Sequence, residues 1–260
     1  MPKPDRTFRT DAVILRRQEF GEADRLLLLL TPEHGKFRAV AKGVRKPIAR
    51  KTGHVELFAL VDMLIYGGRE LRLVTQAETK EPFLPLREDL VRGVYANHLV
   101  ELLDRFTAEQ DTSRAEFDLL VAALGWLCEE IDPRLVARFY EMRLLSLAGF
   151  APSLHRCAIG QEDLEPQDQF FSPVDGGVIC PDHRAGQDRG LPLSLNALKT
   201  LRYMQTQPWE PVKALKIGGA LRGELERLML AYITYLLERR LQSVEFLKRL
   251  RREEPRIEEE

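Results

Sequence analysis

Cysteine is scarce in this chain, with only Cys128, Cys157 and Cys180 among 260 residues. Three thiols are too few, and odd in number, for a disulfide framework, so the fold must be held by an apolar core. No hydrophobic run reaches membrane-spanning length, and the opening MPKPDRTFRTD has no apolar stretch of the signal-peptide kind. The expectation is a cytoplasmic protein with no membrane partner. Aromatics are thin, at 8% with two tryptophans. Net charge is also lacking: the balance of −1 gives the whole molecule no electrostatic signature. Catalytic signatures are missing as well. There is no G-x-S-x-G, no H-E-x-x-H and no dinucleotide-binding glycine fingerprint. Lys51-Thr52 resembles the end of a phosphate-binding loop, but Arg45 and Arg50 stand where that loop requires glycine. With no nucleophile placed beside a base, the chain reads as non-enzymatic, with no small-molecule substrate.

What the chain has is an uneven distribution of charge. Residues 1–85 carry 16 Lys and Arg against 11 Asp and Glu, which leaves the remainder at −6. The excess concentrates in Gly35–Lys51, where Lys36, Arg38, Lys42, Arg45, Lys46, Arg50 and Lys51 occur without an acid. The first half alternates: Phe37, Ala39 and Ala41 share one face of a strand, and Lys36, Arg38 and Lys42 the other. A strand with its apolar face on a core and its basic face outward suits a phosphate backbone. The alternative is a solvated strand edge whose charges prevent edge-to-edge pairing.

Around this segment the pattern is of strands joined by turns. Phe8–Arg17, Arg25–Thr31, the basic strand, Val55–Tyr66 and Leu71–Thr79 make five in about 75 residues, with turn residues at Gly35 and Gly67-Gly68. The count predicts a small barrel of the OB type, with an SH3-like barrel as the other possibility. Pro82 and Pro85 mark a boundary, after which the apolar period becomes helical. Helices are expected over 86–106, from an Asp111-Thr112-Ser113 cap through Leu127, and from Asp132-Pro133 to a stop at Gly149. Residues 151–190 lose the period, which returns at 195–204 and in a long helix from about 221 to 251. The fold class is thus α+β and multidomain: a five-stranded barrel at 1–81, a helical domain at 82–150 and 191–252, an insertion at 151–190, and a frayed tail at 253–260.

The span DAVILRR…FGEADRLLLLLTPEHGKFRAVAKGVRK…ELFALVDMLIYGGRELRLVTQAE closely resembles the N-terminal domain of the RecO family of bacterial recombination mediators. YANHLVELLDRF, RFYEMRLLSLAGFAPSL, FSPVDGGVIC and LQSVEFLKRL extend the resemblance over nearly the whole chain. It implies an OB-fold, a helical domain and, in some members, a zinc-ribbon-like hairpin insertion. It also implies binding to single- and double-stranded DNA, annealing of complementary strands, and action with RecR and RecF to load RecA onto SSB-coated DNA, in a cytoplasmic, nucleoid-associated protein. The seven basic residues then become phosphate contacts giving a sequence-independent, salt-sensitive affinity. Phe58 and Tyr66 are weak candidates for base stacking that fit a core equally well.

In the insertion the sequence departs from the zinc-carrying pattern of two Cys-x-x-Cys pairs. The first pair reads Cys157-Ala158-Ile159-Gly160 and the second Cys180-Pro181-Asp182-His183. Cys157, Cys180 and His183 remain as metal ligands, whereas a structural zinc site needs four. His155 would have to close the site from two residues before Cys157, and neighbours two apart need a tight bend to converge. The expectation is that zinc has been lost and that Phe170, Phe171, Val178 and Ile179 hold the hairpin. Two rival functions remain: a protein-interaction adaptor whose OB-like domain does not carry the DNA affinity, and, on fold analogy alone, an RNA-binding or translation factor.

Overall fold

The computed structural model describes residues 7–44, 52–67, 71–129, 132–184 and 190–238. Arg45, Lys46, Arg50 and Lys51 of the basic loop, the second half of the expected last helix and the tail lie outside the described residues. The chain divides into two compact units, Met1–Glu130 and Ile131–Glu260.

The first unit is built on β1 (Thr7–Phe20), β2 (Asp24–Thr31), β3 (Gly35–Ala41), β4 (Leu60–Tyr66) and β5 (Arg72–Glu81). They close into a barrel in the order β1-β2-β3-β5-β4. Every pairing is antiparallel except β3 with β5, which runs parallel. The interior is filled by Ala12, Ile14, Leu27, Leu29, Phe37, Ala39, Ala41, Val61, Met63 and Ile65, the inward set of alternating strands. Turn chemistry fixes the hairpins: Gly21 and Gly35 both take φ of +61°, where a side chain would be strained.

Two expected strands differ in detail. Val55–Ala59 is not part of β4. Phe58 adopts φ of +68°, and its N–H donates to the Ile14 carbonyl, so the chain turns before the strand begins at Leu60. In β5 the expected face of Leu71, Leu73, Thr75 and Ala77 is broken by a bulge. Leu64 pairs with Gln76 but Ile65 with Val74, so Thr75 is the extra residue and Val74 is the buried one. Strict alternation cannot anticipate an inserted residue.

Three helices complete this unit: α1 (Pro85–Glu88), α2 (Leu90–Phe106) and α3 (Arg114–Glu129). The expected continuous helix from 86 is interrupted because the Asp89 side chain accepts from the Arg92 N–H and caps α2 afresh. The proline boundary does separate strand from helix, but these three helices belong to the same compact unit as the barrel.

The second unit opens on α4 (Pro133–Leu147), capped by Asp132 with proline at its first turn as expected. Next come β6 (Gln169–Ser172), β7 (Gly177–Ile179), the helical turn α5 (Pro181–Arg184) and β8 (Leu191–Leu193). The three strands form a small antiparallel sheet in the order β7-β6-β8. Then α6 (Leu195–Thr206), α7 (Trp209–Lys213) and α8 (Gly219–Leu237) follow. Phe139 against Trp209 and Phe171 edge-on to Tyr232 anchor the core of this unit.

Candidate nucleic-acid interface and metal-ligand cluster

The basic strand divides into residues that face water and one that does not. Phe37, Ala39 and Ala41 are buried in the barrel, as their alternation predicts. On the opposite face Arg38 keeps 63% of its side chain exposed, and Lys42 is exposed in the turn after β3. Lys36 is the correction: the residue is only 4% exposed and cannot reach a phosphate. Its ammonium donates to the Asp104 carboxylate at 2.6 Å, the Asp104 carbonyl at 2.7 Å and the Thr107 carbonyl at 2.9 Å. The cause is the segment after α2, which lies over the start of β3. The Gln110 N–H donates to the Lys36 carbonyl, and a Cβ on Gly35 would stand 2.2 Å from the Asp111 carbonyl oxygen. The outer face of β3 is therefore covered at Lys36 and open at Arg38.

A second exposed cation lies level with Arg38. Arg16 pairs with Leu28 in β1–β2, and Leu28 with Arg38 in β2–β3, so the two arginines flank Leu28 on one face. Two strand spacings separate their backbones by about 10 Å. Arg16 meets the Asp104 carboxylate at 2.8 Å, and Arg38 comes within 3.7 Å of Glu109. Both guanidinium groups are largely exposed, and the open Arg38–Glu109 pair is of a kind that contributes little. Sequence reasoning missed Arg16, whose place beside Arg38 depends on two hairpin registers. Of the expected stacking aromatics, Phe58 is buried in the core. The aromatic cluster is elsewhere: the Phe8 and His34 ring centroids lie 3.9 Å apart with the rings tilted at 44°, and the Arg72 guanidinium lies 3.9 Å from the Phe37 ring centroid. Burial first, and then the charge of Arg72, pull the His34 pKa below its usual value.

In the second unit the insertion brings Cys157, Cys180 and His183 together, as their Cys-x-x-Cys-like spacing suggested. The His183 Nδ1 is 3.6 Å from the Cys157 sulfur and 3.1 Å from the Cys180 sulfur. The fourth member is Glu162, which the sequence reading did not consider. One of its oxygens lies 3.0 Å from the Cys180 sulfur and 3.1 Å from His183 Nδ1. All four donor atoms fall within 4.8 Å of one another. His155 is exposed and outside this group. The Cys180 hydrogen bond, before any other cause, holds the Glu162 carboxyl down at about 2. Burial, and next Glu162 itself, push the Cys180 thiol up to about 11.

Comparison with known proteins bears on both regions. Residues 6–83 match the family described as Recombination protein O N terminal, and residues 87–245 match Recombination protein O C terminal. The chain belongs to the RecO family. It is 43% identical to the DNA repair protein RecO of Roseiflexus sp. (strain RS-1) over 95% of this chain and 87% of that protein. A Dehalococcoides mccartyi (strain ATCC BAA-2266 / KCTC 15142 / 195) DNA repair protein RecO is 36% identical, covering 97% of this chain and 99% of its own length. That of Symbiobacterium thermophilum is 38% identical over 94% and 98%. RecO membership places the chain among DNA repair and recombination proteins. Among the described residues no helix is long and apolar enough to cross a membrane. What sets this RecO chain's insertion apart from the Cys-x-x-Cys pattern is the pairing of Gly160 with Glu162, two residues whose relation no linear motif expresses.

Proposed function

We propose that the protein is a non-enzymatic DNA-binding factor of recombinational repair, and that its barrel is an OB-fold carrying most of the phosphate contacts. It binds single- and double-stranded DNA, anneals complementary strands, and acts with RecR and RecF to help load RecA onto SSB-coated single strands in the cytoplasm, at the nucleoid. The observation that carries this reading is the open half of the barrel's basic face, where Arg16, Arg38 and Lys42 present cations at and beyond the covered Lys36. Arg45, Lys46, Arg50 and Lys51 continue the same run in sequence. The phosphate backbone supplies the affinity of such a surface, and sequence independence is what annealing requires.

The test is the salt dependence of binding by the full chain to single strands of different sequence. Joint replacement of Arg38 and Lys42 by Ala should weaken binding about equally for every sequence. The slope of log K against log salt should become shallower by roughly 1.4, at 0.7 per lost contact. Affinity and slope unchanged in that variant, with annealing intact, would favour the adaptor reading, in which the barrel does not carry the DNA affinity.

A further inference from the structure

In sequence, Cys157, Cys180 and His183 lack a fourth ligand in register. The structure supplies one. We propose that Cys157, Glu162, Cys180 and His183 form a closed tetrahedral site for one zinc ion, with Glu162 standing in for the ligand that Gly160 cannot provide. The proposal concerns the insertion alone and holds whether or not the barrel carries the DNA affinity.

Three observations carry it. The first is spacing. With Zn–S near 2.3 Å and Zn–N or Zn–O near 2.0–2.1 Å, tetrahedral geometry sets donor-to-donor edges of about 3.3–3.6 Å for S–N, S–O and N–O pairs. Four of the edges are 3.6 and 3.1 Å for sulfur to Nδ1, 3.0 Å for sulfur to carboxylate oxygen, and 3.1 Å for Nδ1 to oxygen. Those four edges need to open by about half an ångström or less to take an ion, and all the donor atoms lie within 4.8 Å of one another.

The second is the space at Gly160. A Cβ there would lie 2.1 Å from Glu162 Oε2 and 2.2 Å from His183 Cε1. Any side chain at 160 would evict the carboxylate and the imidazole from where they stand. Glycine at 160 and glutamate at 162 are therefore two halves of one arrangement.

The third is the scaffold. The Cys157 N–H donates to the Glu162 carbonyl and the Gln161 N–H to the Cys157 carbonyl, folding 157–162 back so that both donors face inward. Gln161 makes the bend at φ of +63°. The Ala158 N–H donates to the Val178 carbonyl, which fastens this arm to β7, and Cys180 follows directly on that strand. The Cys180 N–H points at the buried Cys157 sulfur at 3.5 Å, where it would stabilise the negative charge of a thiolate.

Two thiolates, an imidazole and a carboxylate are the donors zinc takes, and four protein ligands leave no open position. The site is therefore structural: the ion ties the 157–162 loop to α5 across β7. Two thiolates and one carboxylate around a dication leave a net charge of −1, one unit less negative than four thiolates would.

The experiment uses the full chain, purified without chelator or stripped and reloaded with zinc. Metal analysis should find about one zinc per chain, and chelation should lower the melting temperature. Replacing zinc by cobalt(II) should give the ligand-field bands of a tetrahedral ion together with thiolate-to-cobalt charge transfer. Glu162→Ala should weaken zinc binding at least about 10-fold, the lower bound for losing even a group that only hydrogen-bonds a ligand. His155→Ala should leave zinc content and the cobalt spectrum unchanged. A chain that takes up no zinc overturns the proposal. So does one whose Glu162→Ala variant binds zinc with the parent's affinity and cobalt spectrum, or whose His155→Ala variant loses the metal. If Glu162→Ala fails to fold, the cobalt spectrum of the parent still decides: six-coordinate bands, or bands without thiolate charge transfer, refute the site.

Discussion

Replacing Lys36 by Met separates the buried cation from its apolar stem, because the two side chains have similar length and volume. In the parent the ammonium has three acceptors within 2.9 Å, one a carboxylate and two of them carbonyls. Hydrogen bonds to a charged group contribute about 1.5–3 kcal/mol, and breaking a buried pair from one side costs about 3–5 kcal/mol. Asp104 is not left alone, since Arg16 also holds its carboxylate at 2.8 Å. The expected loss is therefore at the lower end, about 2–3 kcal/mol. At about 2–4 °C per kcal/mol, the unfolding midpoint of the first unit should fall by roughly 4–12 °C. Scanning calorimetry of the full chain measures this, and Asp104→Asn in the Lys36→Met background should cost less than it does alone. DNA affinity of the folded variant and its salt slope should match the parent's. A melting point unchanged within a degree, together with a slope shallower by roughly 0.7, would refute the burial of Lys36 and return it to the phosphate contacts.

Gly35→Ala combines an unfavourable positive φ with the overlap against the Asp111 carbonyl, and should destabilise by at least about 1–2 kcal/mol in denaturant titration. Asp132→Ala removes the α4 cap and the pairing with Arg222, for a loss of about 1 kcal/mol in the same assay. His34 should titrate below 6.5 by NMR, and Arg72→Met should raise its midpoint by removing a nearby positive charge. Because the folded form takes up this proton later than the unfolded chain, the group's contribution favours folding above pH 6.5 and is lost as pH falls below that value.

Much of this architecture is legible in the sequence because it depends on local rules. The alternation of Phe37, Ala39 and Ala41 places them in the barrel, and Asp132-Pro133 marks a helix start that the structure keeps. What the sequence hides is what distant segments lay over a strand. Lys36 and Arg38 share one face and one chemistry, yet the segment ending at Asp111 covers the first and spares the second. Likewise the bulge at Thr75 rephases β5, and only knowing the partner strand would reveal it. In the insertion, the approach of Glu162 to His183 arises from a backward turn at Gln161 and from the missing side chain at 160. Neither is a feature of a spacing motif.

The unequal pairing around the barrel has a mechanical consequence. Among the described residues β3 and β5 meet through only Ala39 with Arg72 and Val40 with Leu73, whereas each other seam is paired over seven residues. A ring yields first where the fewest bonds cross, so the barrel behaves as a split collar whose gap is the β3–β5 line. Arg72 lies across that gap with its guanidinium on the ring of Phe37, a clasp made of one side chain from each lip. Amide protons along this line should therefore exchange with solvent sooner than those of β1 and β2, and cutting the clasp should widen the difference.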